Sequence, residues 1–398
     1  MSRIAVILGT RPEIIKLAGV IDGLGEDAFV IHTGQHYDDA LSRVFFDGLE
    51  LPAPDHQLHL GGASRAEQIG RGTTEVAALL DASRPDAVLV QGDTNSALAG
   101  ALAANSTGLP LVHVEAGLRS YDRAMPEEHN RVLIDHLSDL LAAPTATAVA
   151  NLAREGIAGE HVICCGNTVI EAVRRQLPDA AHRVALLQRL GLRSERYILA
   201  TIHRPENTDN PSQLARILDE LAALPLPVVA PLHPRTVAAA TAAGLGGKLA
   251  QIRVVEPVDS TSFLALAAEA ALLISDSGGV QEEVTVLGRP LVVVRRSTER
   301  PEALKHFATL VPPESITAAA NAYLLAGDQL RHKLSITPSP YGDGTASETI
   351  VRETLARYGS SRPKIRLRTA TTTNSPRRRR VPAQSLTAPP AAPHASTG

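Results

Sequence analysis

The chain has 398 residues, 44% apolar and 3% aromatic, with no Trp and a formal net charge of −3. That length accommodates two α/β domains with sizeable cores, and the scarcity of aromatic side chains argues against a base-stacking RNA platform. The charge is uneven: the first 353 residues hold 30 Lys or Arg against 42 Asp or Glu, an acidic body that argues against nucleic acid as the main partner.

From the amino terminus, Met1-Ser2-Arg3 leads directly into a short apolar run, Ile4–Leu8, that stops at Gly9. This is not the pattern of a signal peptide, and no apolar stretch reaches membrane-spanning length, so a soluble, cytoplasmic protein is expected. Gly9-Thr10-Arg11-Pro12-Glu13 follows that first strand. Gly9 suits a tight turn and Pro12 the first turn of a helix. Arg11 then lies at the carboxyl end of the strand, where a guanidinium meets phosphate. Lys16 is one helical turn from Glu13; it either reaches the cleft or pairs with Glu13.

Further strands are expected at 28–32, 87–90, 111–114, 140–143 and 162–164. After a helix-rich passage the pattern restarts at 197–201, 227–230, 252–255, 272–275 and 291–294. Short runs of Val, Ile and Leu, separated by helical patterns, are the signature of buried parallel strands in βα units. Two series predict two Rossmann-like, doubly wound domains in tandem, with the boundary near Gly166–Asn167. Ligands in such sheets bind beyond the carboxyl ends of the strands, where the polar motifs of this chain fall.

Gln91-Gly92-Asp93-Thr94 follows one strand; Asp93 is placed either as a catalytic carboxylate or as a helix cap. His113-Val114-Glu115-Ala116-Gly117-Leu118-Arg119 closes the next strand, and a carboxylate emerging there from an apolar run needs a cation or a proton. Pro126-Glu127-Glu128 opens a helix, where acidic residues also serve the helix dipole. Convergence of Asp93, Glu115 and Glu127 on one pocket would separate their proton affinities into acid and base roles.

The adjacent Cys164 and Cys165 read as buried, small apolar residues rather than a disulfide or a zinc site. In the second series, His203 follows the first strand, suited to titrate near neutrality or to donate to phosphate. The run Ser275-Asp276-Ser277-Gly278-Gly279-Val280-Gln281-Glu282-Glu283 places two glycines at a strand-to-helix turn. There the backbone can approach a ligand closely and free N–H groups can receive phosphate, with Glu283 one turn along beside a ribose. Arg300 is either a phosphate clamp or a surface ion pair. No metal-ligand spacing, Walker loop or nucleophile elbow is present in the sequence. From about Gly359 the composition changes to a basic, Pro/Ala/Thr-rich tail carrying Arg377–Arg380, which is expected to be disordered.

These motifs, in this order, together with Gly34-Gln35-His36, Gly166-Asn167-Thr168 and Thr298-Glu299-Arg300-Pro301-Glu302, resemble the non-hydrolysing UDP-N-acetylglucosamine 2-epimerases from Arg3 to about Tyr358. The resemblance implies a glycosyltransferase-B-like arrangement of domains 1–166 and 167–344 facing across a cleft. It further implies a last helix at 345–358 crossing back to the first domain, a homodimer, and a UDP-sugar substrate with no redox cofactor or metal. By the same resemblance Asp93, Glu115, Glu127 and His203 are catalytic. Arg11, Lys16, Ser277, Gly278, Gly279 and Arg300 hold UDP, Glu283 accepts from the ribose, and Phe263 packs near uracil. The implied reaction is elimination and re-addition of UDP through 2-acetamidoglucal. A diacetamido or oxidised UDP-sugar, or hydrolysis to N-acetylmannosamine and UDP, are the competing readings. Gln35-His36-Tyr37-Asp38 and His203-Arg204-Pro205-Glu206-Asn207 depart from the pattern associated with activation by a second substrate molecule, so that property is not implied.

Overall fold

The computed structural model describes residues 3–35 and 45–359. The basic tail, and His36, Tyr37 and Asp38 of the departing segment, lie outside the described residues.

Two all-parallel sheets organise the chain. The first contains β1 (Ile4–Leu8), β2 (Ala28–His32), β3 (His56–Gln57), β4 (Ala87–Gln91), β5 (Leu111–Val114), β6 (Leu140–Ala143) and β7 (Val162–Cys164), in the order β3-β2-β1-β4-β5-β6-β7. The second contains β8 (Ile198–Thr201), β9 (Val228–Pro231), β10 (Arg253–Val255), β11 (Leu272–Ser275), β12 (Leu291–Val294) and β13 (Ala308–Val311), in the order β10-β9-β8-β11-β12-β13. In each sheet the winding reverses once, between β1 and β4 and between β8 and β11. Diverging connections leave a crevice at such a reversal.

Both faces of each sheet are covered, which is why the strands read as continuous apolar runs rather than alternating ones. Ile4, Val6 and Leu8 pack with the helix Arg11–Leu24 on one face, while Ala5 and Ile7 pack on the other with the helices Arg65–Ser83 and Asn95–Ser106. Leu199 and Leu273 serve one core of the second sheet, and Ile198 and Ile274 the other.

The last helix, Ala346–Tyr358, contributes Ile350 and Val351 to the core of the first sheet. It lies close against Arg11–Leu24 because glycines face it. A Cβ on Gly19 would meet Ser347 Oγ at 2.6 Å, and one on Gly23 would meet Val351 Cγ2 at 3.1 Å.

Strands β3 and β13 were not expected from sequence. The first is two residues with no apolar run, and both are edge strands, where pairing rather than burial defines the element. The cysteine reading needs correction: Cys164 is exposed at the end of edge strand β7, whereas Cys165 is partly buried and hence has its thiol pushed up to about 12, chiefly by burial. No described helix is long and apolar enough to cross a membrane.

Candidate active site

The first sheet delivers its polar side chains through the turns after β1, β4 and β5. The turn after β1 is so tight that a Cβ on Gly9 would sit 2.0 Å from Thr33 Oγ1 and 2.1 Å from Ser96 Oγ. It launches the helix Arg11–Leu24 with Pro12 in its first turn. Arg11 is exposed, its guanidinium 5.6 Å from the Phe45 ring centroid. Lys16 is buried and does not pair with Glu13; its Nζ donates to Glu115 Oε1 at 2.5 Å and to Glu282 Oε2 at 2.8 Å.

After β4, Gly92 takes φ 69° and presents Asp93. The cap of the following helix is Thr94, whose hydroxyl accepts from Ala97 N at 3.0 Å, so Asp93 is not spent on capping. Its carboxylate instead accepts from two nitrogens of Arg131, Nε at 3.1 Å and Nη2, and its carbonyl accepts from Asn130 Nδ2 at 2.8 Å. Arg131 is itself held by Glu128, 2.9 Å from Nη1.

Glu115 sits at the end of β5 with φ 67°, a left-handed backbone that a glutamate rarely adopts and that marks stored strain. Lys16 and Asn167 Nδ2 donate to its Oε1, the latter at 2.7 Å, and Gln91 donates to its Oε2. Burial pulls this carboxyl upward, but Lys16, Arg300 and Asn167 outweigh it and hold it at about 2, so it is an anion at any physiological pH.

The second sheet contributes mainly the start of the helix Gly278–Leu287. Ser277 occupies its cap position without a side-chain cap hydrogen bond, which leaves the first-turn N–H groups available to an anion. A Cβ on Gly278 would lie 2.6 Å from Arg300 Nη1 and 2.8 Å from Glu299 Oε1, so a larger residue there would displace that ion pair. Gly279 leaves the approach open, with Glu283 Oε1 the nearest atom at 3.8 Å from its would-be Cβ.

Arg300 is buried rather than a surface ion pair. Its Nε lies 2.8 Å from Glu282 Oε1, and its Nη1 is in contact with Glu299. Burial opposes its charge, yet Glu282, Glu299, Glu115 and Asp93 together make that charge more secure than in water. His203 has a half-exposed ring whose Nδ1 lies 2.9 Å from Asp276 Oδ1. Asp276, fully buried, also accepts from the backbone N–H groups of His203 and Arg204 and from Asn207, which fixes the loop after β8.

The two sheets meet in one network. Lys16 and Asn167 each bridge Glu115 of the first sheet to Glu282 of the Gly278 helix, and Glu282 passes the connection to Arg300. Asp93 acts electrostatically on Arg300, and Arg131 on Glu299. Arg11 acts likewise on Glu283, whose enclosed Oε2 has no hydrogen-bond partner among the described residues. Burial and then the neighbouring Glu282 charge push the Glu283 carboxyl up to about 7.

Glu127, Phe263 and the His203 ring, which is held by Asp276, stand outside this network. Glu127 is exposed on the first turn of the helix Pro126–Leu137, and its neighbour Glu128 is the buried one. Phe263 is partly buried against the second-sheet core. Conversely, sequence reading passed over Glu282, Asn167, Arg131, Gln91 and Asp276 as functional groups. Each lies in or beside a motif already singled out, and an uncompensated Glu115 was the signal that partners had to exist.

Carboxylates from one parallel α/β sheet meet an open helix start and a buried arginine from another, in the two-sheet arrangement of the glycosyltransferase-B-like fold. The UDP-N-acetylglucosamine 2-epimerase family model matches residues 25–354. The chain is 42% identical to the UDP-N-acetylglucosamine 2-epimerase of Methanococcus maripaludis, across 88% of this chain and 98% of that protein. It is 39% identical to the UDP-2,3-diacetamido-2,3-dideoxy-D-glucuronate 2-epimerase of Pseudomonas aeruginosa, across 75% and 85%. It also superimposes on the Methanocaldococcus jannaschii UDP-GlcNAc 2-epimerase, solved in complex with UDP-GlcNAc and UDP, with a TM-score of 0.77 and 37% identity, covering 89% of this chain and 99% of that one. The chain belongs to the UDP-N-acetylglucosamine 2-epimerase family.

Proposed function

We propose that the protein interconverts UDP-N-acetylglucosamine and UDP-N-acetylmannosamine by inverting carbon 2. The observation that carries this reading is the Lys16–Asn167 bridge, which ties the Glu115 carboxylate to the helix that begins at Gly278 and, through Glu282, to Arg300. A sugar–diphosphate bond spanning that junction has anions toward its sugar end and N–H groups and a cation toward its phosphate end.

The chemistry follows from that polarity. The bond between carbon 1 and the diphosphate oxygen breaks, and its electron pair leaves with UDP. A proton leaves carbon 2, a carbon 1–carbon 2 double bond forms, and 2-acetamidoglucal remains. UDP then adds back at carbon 1 while carbon 2 receives a proton on the opposite face. Atoms and charge balance, with no redox step. Glu115, ionised and immobilised, faces the positive charge that develops on the sugar. Asp93 and the exposed Glu127 are the groups assigned to move protons. The N–H groups at Ser277, Gly278 and Gly279, with Arg300, Lys16, Arg11 and His203, oppose the charge on departing UDP. Glu283 takes the ribose hydroxyls, and Phe263 lies toward the uracil.

We read residues 1–166 with 345–358, and residues 167–344, as the two domains of a cytoplasmic homodimer. The Pseudomonas aeruginosa relative supports a second reading, with a diacetamido glucuronate as substrate.

Incubation with UDP-N-acetylglucosamine in heavy water, followed by NMR, tests the proposal. Deuterium at carbon 2 and a mixture of two epimers is the expected result. If neither appears, this substrate is wrong, and a repeat with the diacetamido glucuronate decides whether the reaction class survives. Free N-acetylmannosamine accumulating in step with UDP would instead make the enzyme a hydrolysing 2-epimerase.

A further inference from the structure

Glu13 is a fully buried carboxyl, 1% exposed, that the mechanism above does not use. Its Oε2 accepts from Gly9 N at 3.1 Å and from Thr10 Oγ1 at 2.7 Å. Its Oε1 accepts from Thr94 Oγ1 at 2.8 Å. Gly9 and Thr10 form the turn after β1, which leads into the helix carrying Lys16. Thr94 belongs to the turn after β4 and directly follows Asp93. One side chain thus spans the crevice at the winding reversal of the first sheet, and no other side chain joins these same two turns by hydrogen bonds among the described residues.

The purpose is not electrostatic neutrality. No ion pair to Glu13 is found among the described residues, and burial pushes its carboxyl up to about 7 despite favourable hydrogen bonds from Gly9, Thr10 and Thr94. A carboxyl used only to fill space would be better replaced by an apolar residue. What this one does is fix a separation: Lys16, which holds Glu115, on one side, and Asp93 on the other.

We infer that Glu13 is a positioning residue for the epimerisation, setting the Asp93-bearing turn against the Lys16-bearing helix through the hydroxyl of Thr94. This rests on the proposed role of Asp93. Glu13, buried and bonded to Gly9, Thr10 and Thr94, acts through the two turns it joins. A misplacement of about 1 Å at a reacting group can cost about 100-fold in rate, so the bridge acts on turnover far more than on UDP affinity, most of whose proposed contacts lie on the second sheet.

The test compares Glu13→Gln, Glu13→Asp and Glu13→Ala in the full-length protein, measuring kcat, KM, UDP affinity by calorimetry and melting temperature. Glutamine keeps the length, accepting from Gly9 and Thr10 while its amide donates to Thr94. It is expected to retain kcat within about threefold. Aspartate, one methylene short, is expected to lower kcat about tenfold, and alanine about 100-fold, with UDP affinity within about threefold of wild type. Thr94→Val is expected to follow alanine and Thr94→Ser to follow wild type. If Glu13→Ala does not fold, Glu13→Asp decides. Wild-type kcat in the aspartate variant, or losses of kcat that track melting temperature across the series including glutamine, would overturn the assignment. Absence of carbon 2 exchange in the wild-type protein itself would overturn the functional reading instead.

Discussion

The carboxyl edges of the two sheets solve opposite problems. On the first sheet the expected catalytic carboxylates Asp93 and Glu115 are pinned by protein donors, Arg131 for one and Lys16, Gln91 and Asn167 for the other. On the second sheet the groups proposed to meet the ligand are left without protein partners: a helix start without a side-chain cap, and a Glu283 oxygen with no hydrogen-bond partner among the described residues. The first arrangement suits bond making and breaking, where a displaced carboxylate loses rate. The second suits recognition, where the ligand itself supplies the missing partners.

The sharpest way to break this comparison is Asp93→Asn. The amide still accepts from Arg131 but carries no charge, so carbon 2 exchange is expected to fall about 1000-fold. UDP affinity, to which Asp93 is not proposed to contribute, is expected to stay within about threefold of wild type. Exchange by NMR and binding by calorimetry check both halves, and an equal loss in both would mean that the two edges do not divide the labour.

Next in size is Lys16→Met. It leaves Glu115 and Glu282 without their shared ammonium in a buried setting and is expected to cost about 3–5 kcal/mol of stability in denaturant titration. Arg11→Met, on the same helix but exposed, is expected to stay within about 0.5 kcal/mol. Similar losses from the two variants would remove the distinction between pinned and open groups.

The smallest effect concerns Glu283. Its folded-state carboxyl titrates at about 7, above the ordinary value of 4.5, so the folded state binds the proton more tightly than the unfolded chain. Glu283 therefore favours the fold fully below the ordinary carboxyl range, and that contribution is lost as pH rises through the window from 4.5 to about 7. Glu283→Gln is expected to reduce the downward slope of melting temperature across that window without abolishing it, because Glu13 has the same shift. An unchanged slope would mean that the Glu283 carboxyl is not enclosed as described.

The fold was largely legible in the sequence because doubly covered strands leave unmistakable apolar runs. Ile4–Leu8, Leu111–Val114 and Leu291–Val294 coincide with strands to the residue. Strand β3 was invisible because two residues at a sheet edge bury too little to impose a pattern. At the site, Glu115 had to find a cation, since it leaves a buried strand, but the identity of that cation is a tertiary fact: Lys16 is 99 residues away. Lys16 and Glu13 sit one helical turn apart and invite a local ion pair, yet each bonds elsewhere, because both side chains are buried and each is met by partners from other elements. Glu128 and Glu127 were indistinguishable by type, and only the direction in which the helix Pro126–Leu137 faces separates them.

The last helix bears on how the chain is made. Ile350 and Val351 close the core of a sheet whose first strand begins at Ile4, and Gly19 and Gly23 make room for their helix at Ser347 and Val351. During synthesis the amino-terminal sheet therefore waits, with part of that apolar face open to water, until almost every folded residue has left the ribosome. The second sheet, whose strands and cores lie within a later, continuous stretch, can finish first.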